Sequence, residues 1–197
     1  MLQRYRLGIL GLIVLTTASP HDVQAESALV TIPIGISHID LDGDGRQEMI
    51  VRAWRDNFNA HGFFISSFYS DDPDRQALVA GRALPAALGV IPIERADTKE
   101  FVASISTEQG AECLLRDFRL LRSDQRILLV EAQRRKGDGY DDRQSVLFTI
   151  YQIRKNEDGL PGLPDAYFSS LDQYQTERTY CDVTDAFDAE GHQLLRR

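Results

Sequence analysis

The residues best spaced for chemistry are Asp40-Leu41-Asp42-Gly43-Asp44-Gly45-Arg46-Gln47-Glu48. Carboxylates on alternate positions of a tight loop can converge on one hard cation, and calcium takes several oxygen ligands at once. Asp40, Asp42 and Asp44 supply the alternation, Gly45 permits the turn, the carbonyl of Arg46 can add an oxygen, and Glu48 can close the site. With no cation, acidic groups this close repel one another. The first half matches the start of an EF-hand loop, but the twelfth position is Val51, where a bidentate glutamate is required. The flanks also read as strands. The segment therefore resembles the strand–loop–strand calcium loops of the FG-GAP and VCBS families, which repeat the pattern where this chain has it once. The expectation is one calcium held by Asp40, Asp42, Asp44, Arg46 and Glu48. The competing reading is a solvated acidic turn.

The other carboxylate clusters point to no ion. Asp138, Asp141 and Asp142 lack ligand spacing, Asp71, Asp72 and Asp74 read as a surface turn, and Asp182, Asp185 and Asp188 suit the cap and solvated face of a helix. Enzyme signatures are missing, including a Gly-x-Ser-x-Gly elbow and a phosphate-cradling glycine loop. No Ser precedes a Lys by three positions, and His38, His61 and His192 form no zinc pair. His61 lies in a polar loop beside aromatics, where a turn-stabilising role is expected. The sequence thus predicts no enzyme.

The elements that hold the acidic loop read mostly as strands. Thr31–Ile39 and Glu48–Arg55 flank it, and Phe63–Tyr69 is an aromatic strand. Phe101–Ser106 is a short strand, and the alternation around Phe118 and Leu120 marks a half-buried one. Ile127–Gln133 and Val146–Ile153 form an antiparallel hairpin across the Lys136–Gly139 turn signals, and Asn156–Pro164 is a loop. Two stretches could be helical: Gln76–Leu88, alanine-rich but interrupted by Gly81 and Pro85, and the better candidate Asp182–Glu190, capped by Asp182 and ended by Gly191. The fold class that follows is α+β: one domain of mainly antiparallel sheet with a few short helices.

Arg4 and Arg6, the apolar run Leu7–Ala18 and the Val23-Gln24-Ala25 site read as a signal peptide over residues 1–25, so the mature chain spans 26–197 and is periplasmic. No other segment is apolar enough to span a membrane, so none remains after cleavage. The net charge of −8 and the lack of a basic stripe argue against nucleic acid as a partner. In an exported chain, Cys113 and Cys181 are expected to pair as a disulfide.

Several segments together resemble the periplasmic carbapenem intrinsic-resistance proteins of the CarG/CpmJ kind. They are the signal peptide, Ile39–Val51, the Arg55–Gly62 loop leading into Phe63–Tyr69, Phe148–Tyr151, Asp158–Pro164 and Tyr180–Phe187. The resemblance implies protection against a carbapenem without hydrolysis, by binding the drug or a penicillin-binding protein, with a homodimer as the implied assembly. It carries over no active-site residue. The alternative from the acidic loop alone is a calcium-stabilised module of the cell envelope.

Overall fold

The computed structural model describes residues 28–58, 61–71, 76–79, 82–85, 88–110, 112–123, 126–139 and 141–194. The signal segment 1–25 and its cleavage site lie outside them. The elements in chain order are β1 (Ala28–Val30), β2 (Gly35–Ile39), β3 (Glu48–Arg55), β4 (Phe63–Asp71), β5 (Gln76–Val79), β6 (Arg82–Pro85), β7 (Leu88–Val90), β8 (Ile93–Glu94), β9 (Phe101–Val102), β10 (Ile105–Ser106), β11 (Glu108–Gly110), β12 (Cys113–Ser123), β13 (Arg126–Arg134), β14 (Gln144–Lys155), β15 (Ala166–Tyr180) and α1 (Val183–Leu194).

Three layers result. The larger sheet runs β1-β12-β13-β14-β15-β8-β9, with β11 also beside β12. The smaller runs β10-β4-β3-β2, with β7 also on β4. Strand alternation gives the larger sheet two apolar faces. One face presents Phe118, Leu120, Leu129, Tyr151 and Phe168 to Ile50 and Phe68 of the smaller sheet. The other presents Leu121, Val130, Ala132, Val146 and Phe148 to Val183, Ala186, Phe187 and Leu194 of α1. A strand buried on both faces reads as a continuous apolar run, which is why Ile127–Ala132 shows so few polar side chains. The chain changes sheets through buried Ile91-Pro92-Ile93, where Ile91 N donates to Phe68 O at 2.8 Å and Phe168 N to Pro92 O at 2.8 Å.

The mainly antiparallel expectation holds, but α1 is the one helix among the described residues instead of a few, so mainly-β describes the fold more closely than α+β. The helix expected over Gln76–Leu88 is absent: β5 and β6 pair there as an antiparallel ribbon, and β7 begins at Leu88. Gly81 and Pro85 explain this, since each costs a helix interior more than its alanines return. The C-terminal helix forms but runs through Gly191 to Leu194. Burial of Leu194 extends it past a residue that often stops helices. Phe101–Ser106 divides into β9 and β10, which belong to different sheets.

Candidate functional site

The acidic loop joins β2 to β3, antiparallel neighbours from Gly35↔Arg52 to Ile39↔Glu48. Leu41 is 1% exposed and plugs the inter-sheet core, so the loop folds back over the sheet edge instead of projecting from it. Gly43 and Gly45 take φ of 81° and 86°, a region that favours glycine and lets successive amides turn inward. Asp40 accepts from Gly43 N at 2.7 Å and Gly45 N at 2.9 Å; Asp42 accepts from Asp44 N at 3.1 Å; Asp44 accepts from Arg46 N at 2.8 Å. Buried Glu48 accepts from Leu41 N at 2.7 Å.

Asp40, Asp42 and Glu48 each offer an oxygen within 4.8 Å of the others, a donor set that could hold a metal ion. Asp44 is not part of this triad. Its carboxylate and that of Asp42 face Lys155 at the end of β14, with Nζ at 2.8 Å and 2.7 Å. Lys155 thus bridges the loop to the larger sheet and supplies a positive charge beside the triad. Its own pKa rises through hydrogen bonds to Asp42 and Asp44, and Asp44 falls below the usual range through Lys155 and then the Arg46 amide. Burial pushes Glu48 upward, opposed by the Leu41 amide and reinforced by the charges on Asp42 and Asp44. Arg46 is exposed, and its amide serves the Asp44 turn. The all-oxygen triad fits a hard cation. A cavity of about 300 Å³ opens beside it, lined by Asp42, Glu48, Ile91, Ile153 and Lys155 among others.

A second polar centre left a single trace in the sequence, the glutamate within the apolar run of β13. Glu131 on β13 is 4% exposed. Its carboxylate accepts from Arg116 at 2.5 Å, from Arg95 at 3.1 Å and from the Tyr151 hydroxyl at 3.0 Å. Burial opposes the charge on Arg95, but Glu131 outweighs it and raises the guanidinium pKa. Burial, then Glu131, raises Tyr151. Arg95, Arg116, Glu131 and Tyr151 come from four separate segments, so only the tertiary fold assembles them.

Cys113 and Cys181 are joined as a disulfide, with Cα atoms 5.6 Å apart. Asp182 caps α1 as expected, accepting from Thr184 N at 2.7 Å, and also from Leu114 N at 3.0 Å. His61 lies in an exposed loop, where its carbonyl accepts from Asn57 Nδ2 at 2.7 Å. The Asp138, Asp141, Asp142 and Asp182, Asp185, Asp188 clusters join no metal-ligand group among the described residues, and Asp72 and Asp74 lie outside those residues.

A two-sheet sandwich covered on one side by a helix that follows a disulfide, with an oxygen-only loop at the sheet edge, defines a three-layer, mainly antiparallel β fold. The chain belongs to the family described as Carbapenem resistance protein CarG-like, which it matches over residues 32–189. The solved structure titled "Crystal structure of CarG" shares this fold, with TM-score 0.65 and 24% identity across 82% of this chain and 94% of that one. No curated protein sequence matches the chain.

Proposed function

We propose that this is an exported, periplasmic carbapenem-resistance protein that acts by binding, at the drug or at a penicillin-binding protein, and that it does so without hydrolysis and as a homodimer. The observation that carries the reading is family membership over residues 32–189. The leader-like residues 1–25 support export. The absence of a Ser-x-x-Lys arrangement from the sequence agrees with a non-hydrolytic mode. A binder protects in proportion to its amount. Purified protein incubated with excess imipenem should therefore remove no more than about one equivalent of intact ring per site, followed by absorbance, since a stoichiometric complex has no turnover. Loss of many equivalents per molecule would overturn the reading in favour of a hydrolase.

The second part of the reading is calcium at Asp40, Asp42 and Glu48, with Lys155 as an internal competitor. A ligand that binds only the folded chain stabilises it by about 2.7 kcal/mol at a hundred times its dissociation constant. Calcium should raise the melting temperature, Lys155→Met should enlarge that rise, and Asp42→Ala should abolish it. If chelator and calcium give superimposable melting curves for both wild type and Lys155→Met, the loop is an acidic turn neutralised by lysine.

A further inference from the structure

The sheet face that carries the inter-sheet core does not end with it. Beyond Leu129 and Tyr151 the same face turns polar: Glu131 pairs with Thr149, Thr149 with Gln173, and Arg116 with Gln133. The segment between β8 and β9 lies over this patch, folded on itself by Arg95 N donating to Glu100 O at 2.9 Å and Lys99 N to Arg95 O at 2.9 Å. The patch and this segment together line an open cleft of about 410 Å³, a size that suits a small molecule.

Its chemistry is specific. Glu131 is saturated by Arg116, Arg95 and the Tyr151 hydroxyl, so it has little left to offer a ligand. Two guanidinium groups share that single carboxylate, leaving one positive charge in excess at the floor. Arg116 engages Glu131 through Nε and Nη2, and Arg95 through Nη1. Nη1 of Arg116 and Nη2 of Arg95 make none of these bonds to Glu131, while Arg95 also interacts with the Tyr151 hydroxyl. Planar guanidinium forks match carboxylate geometry, and a buried anion that holds two of them still pre-organises the match. Such a cluster has little value for stability alone, because apolar residues of the same volume commonly serve a core as well or better. Leu147 and Val102 add apolar wall, while exposed Asp97 and Glu100 stand on the roof. That roof disfavours a second anionic group and favours an ammonium, an amidinium or an N–H donor.

We infer that this cleft binds a small molecule with one carboxylate, seated on Arg95 and Arg116, and with a cationic or N–H-donating group toward the Asp97–Glu100 roof. The inference stands on the cleft and does not require the drug reading. The test is a nuclear magnetic resonance titration of the full-length protein with alanylalanine, its C-terminal amide and imipenem. Alanylalanine should shift the amides of Gln133, Thr149 and Gln173 saturably, and the amide form should bind about tenfold more weakly or worse, the scale of one lost charge-assisted contact. Arg95→Gln should weaken binding by a similar factor while signals remote from the cleft stay in place. Leu147→Trp, which fills the cleft from its apolar wall and removes no member of the ion cluster, should block binding as an independent check. Equal binding of acid and amide, or no saturable shift from either alanylalanine or imipenem at millimolar concentration, would overturn the proposal. Binding of alanylalanine without imipenem would uphold the cleft and count against the drug as its ligand. Protection against imipenem that survives Leu147→Trp, with alanylalanine binding lost, would uphold both readings and place the protective contact elsewhere.

Discussion

Asp117→Ala is expected to destabilise the protein by about 3–5 kcal/mol, the loss typical of removing one partner from a buried ion pair. Asp117 is 3% exposed and lies on β12 where that strand's outer edge is open: β1 pairs with residues 120–122 and β11 with residues 113–116, so neither covers 117–119. Arg52 reaches this gap from the smaller sheet. It donates to Ile32 O at 3.0 Å, lies over the rings of Phe64 and Phe118 at 4.7 Å and 5.6 Å, and places Nη2 at 3.6 Å from Asp117 Oδ1. Arg119 pairs with the other oxygen of Asp117 and lies over Phe187 of α1 at 5.0 Å. One carboxylate therefore ties all three layers together. Without it, Arg52 keeps a charge that burial already disfavours, as the lowering of its pKa shows. For a chain of this size the loss should lower the melting temperature by about 10 °C. The companion Arg52→Met/Asp117→Leu should recover part of the loss, because it removes the guanidinium that Asp117→Ala strands between the sheets and leaves only Arg119 without its carboxylate. A double variant no more stable than Asp117→Ala would show that packing, not charge, sets the effect.

The parts of this fold legible in the sequence are those in which one physical signal dominates. Glu48–Arg55 and Phe63–Tyr69 are rich in β-branched and aromatic residues, and they form β3 and β4 with nearly those bounds. The β13–β14 hairpin announced itself by two apolar runs around glycine-rich turn signals and forms from Leu129↔Tyr151 to Arg134↔Val146. The longest strand, β15, was not legible. Of its fifteen residues only Phe168, Thr176 and Tyr180 are buried, so the alternation that marks a strand is diluted by Gln, Glu, Ser and Thr. Its length is set by pairing with β14, a tertiary fact with no local signature. The candidate sites divide in the same way. The acidic loop is a local motif whose turn-forming glycines and carboxylates announce themselves, although Lys155, 111 positions from Asp44, could not be found by spacing. The Arg95–Arg116–Glu131–Tyr151 cluster has no local pattern at all. Its one trace was a glutamate inside the apolar run of β13, an unusual residue to bury unless it is paired.

Reducing the Cys113–Cys181 disulfide is expected to cost up to about 4 kcal/mol, because the bond closes a loop of 68 positions in the unfolded chain and the entropy gained on opening it grows with loop length. The bond joins the start of β12 to the residue after β15, two positions before α1 begins. The neighbouring contacts hold the same corner without it. Arg134 Nε donates to Cys181 O at 2.5 Å, and Asp182 caps α1 while accepting from Leu114 N. At the far end of the helix face, buried Glu190 accepts from Tyr180 at 2.5 Å and from Tyr174 at 3.0 Å, and burial followed by Glu190 pushes the Tyr180 hydroxyl up to about 12. That clasp keeps the helix docked in the native state, so reduction should act mainly on the unfolded state and leave the native circular dichroism spectrum nearly unchanged. The melting temperature should nevertheless fall by about 10 °C in reductant. A Cys113→Ala/Cys181→Ala variant should melt with the reduced wild type and ignore reductant. Denatured, non-reduced protein should take up no alkylating reagent at either cysteine. Full labelling of both, or identical melting with and without reductant, would show that the bond does not stabilise the protein in solution.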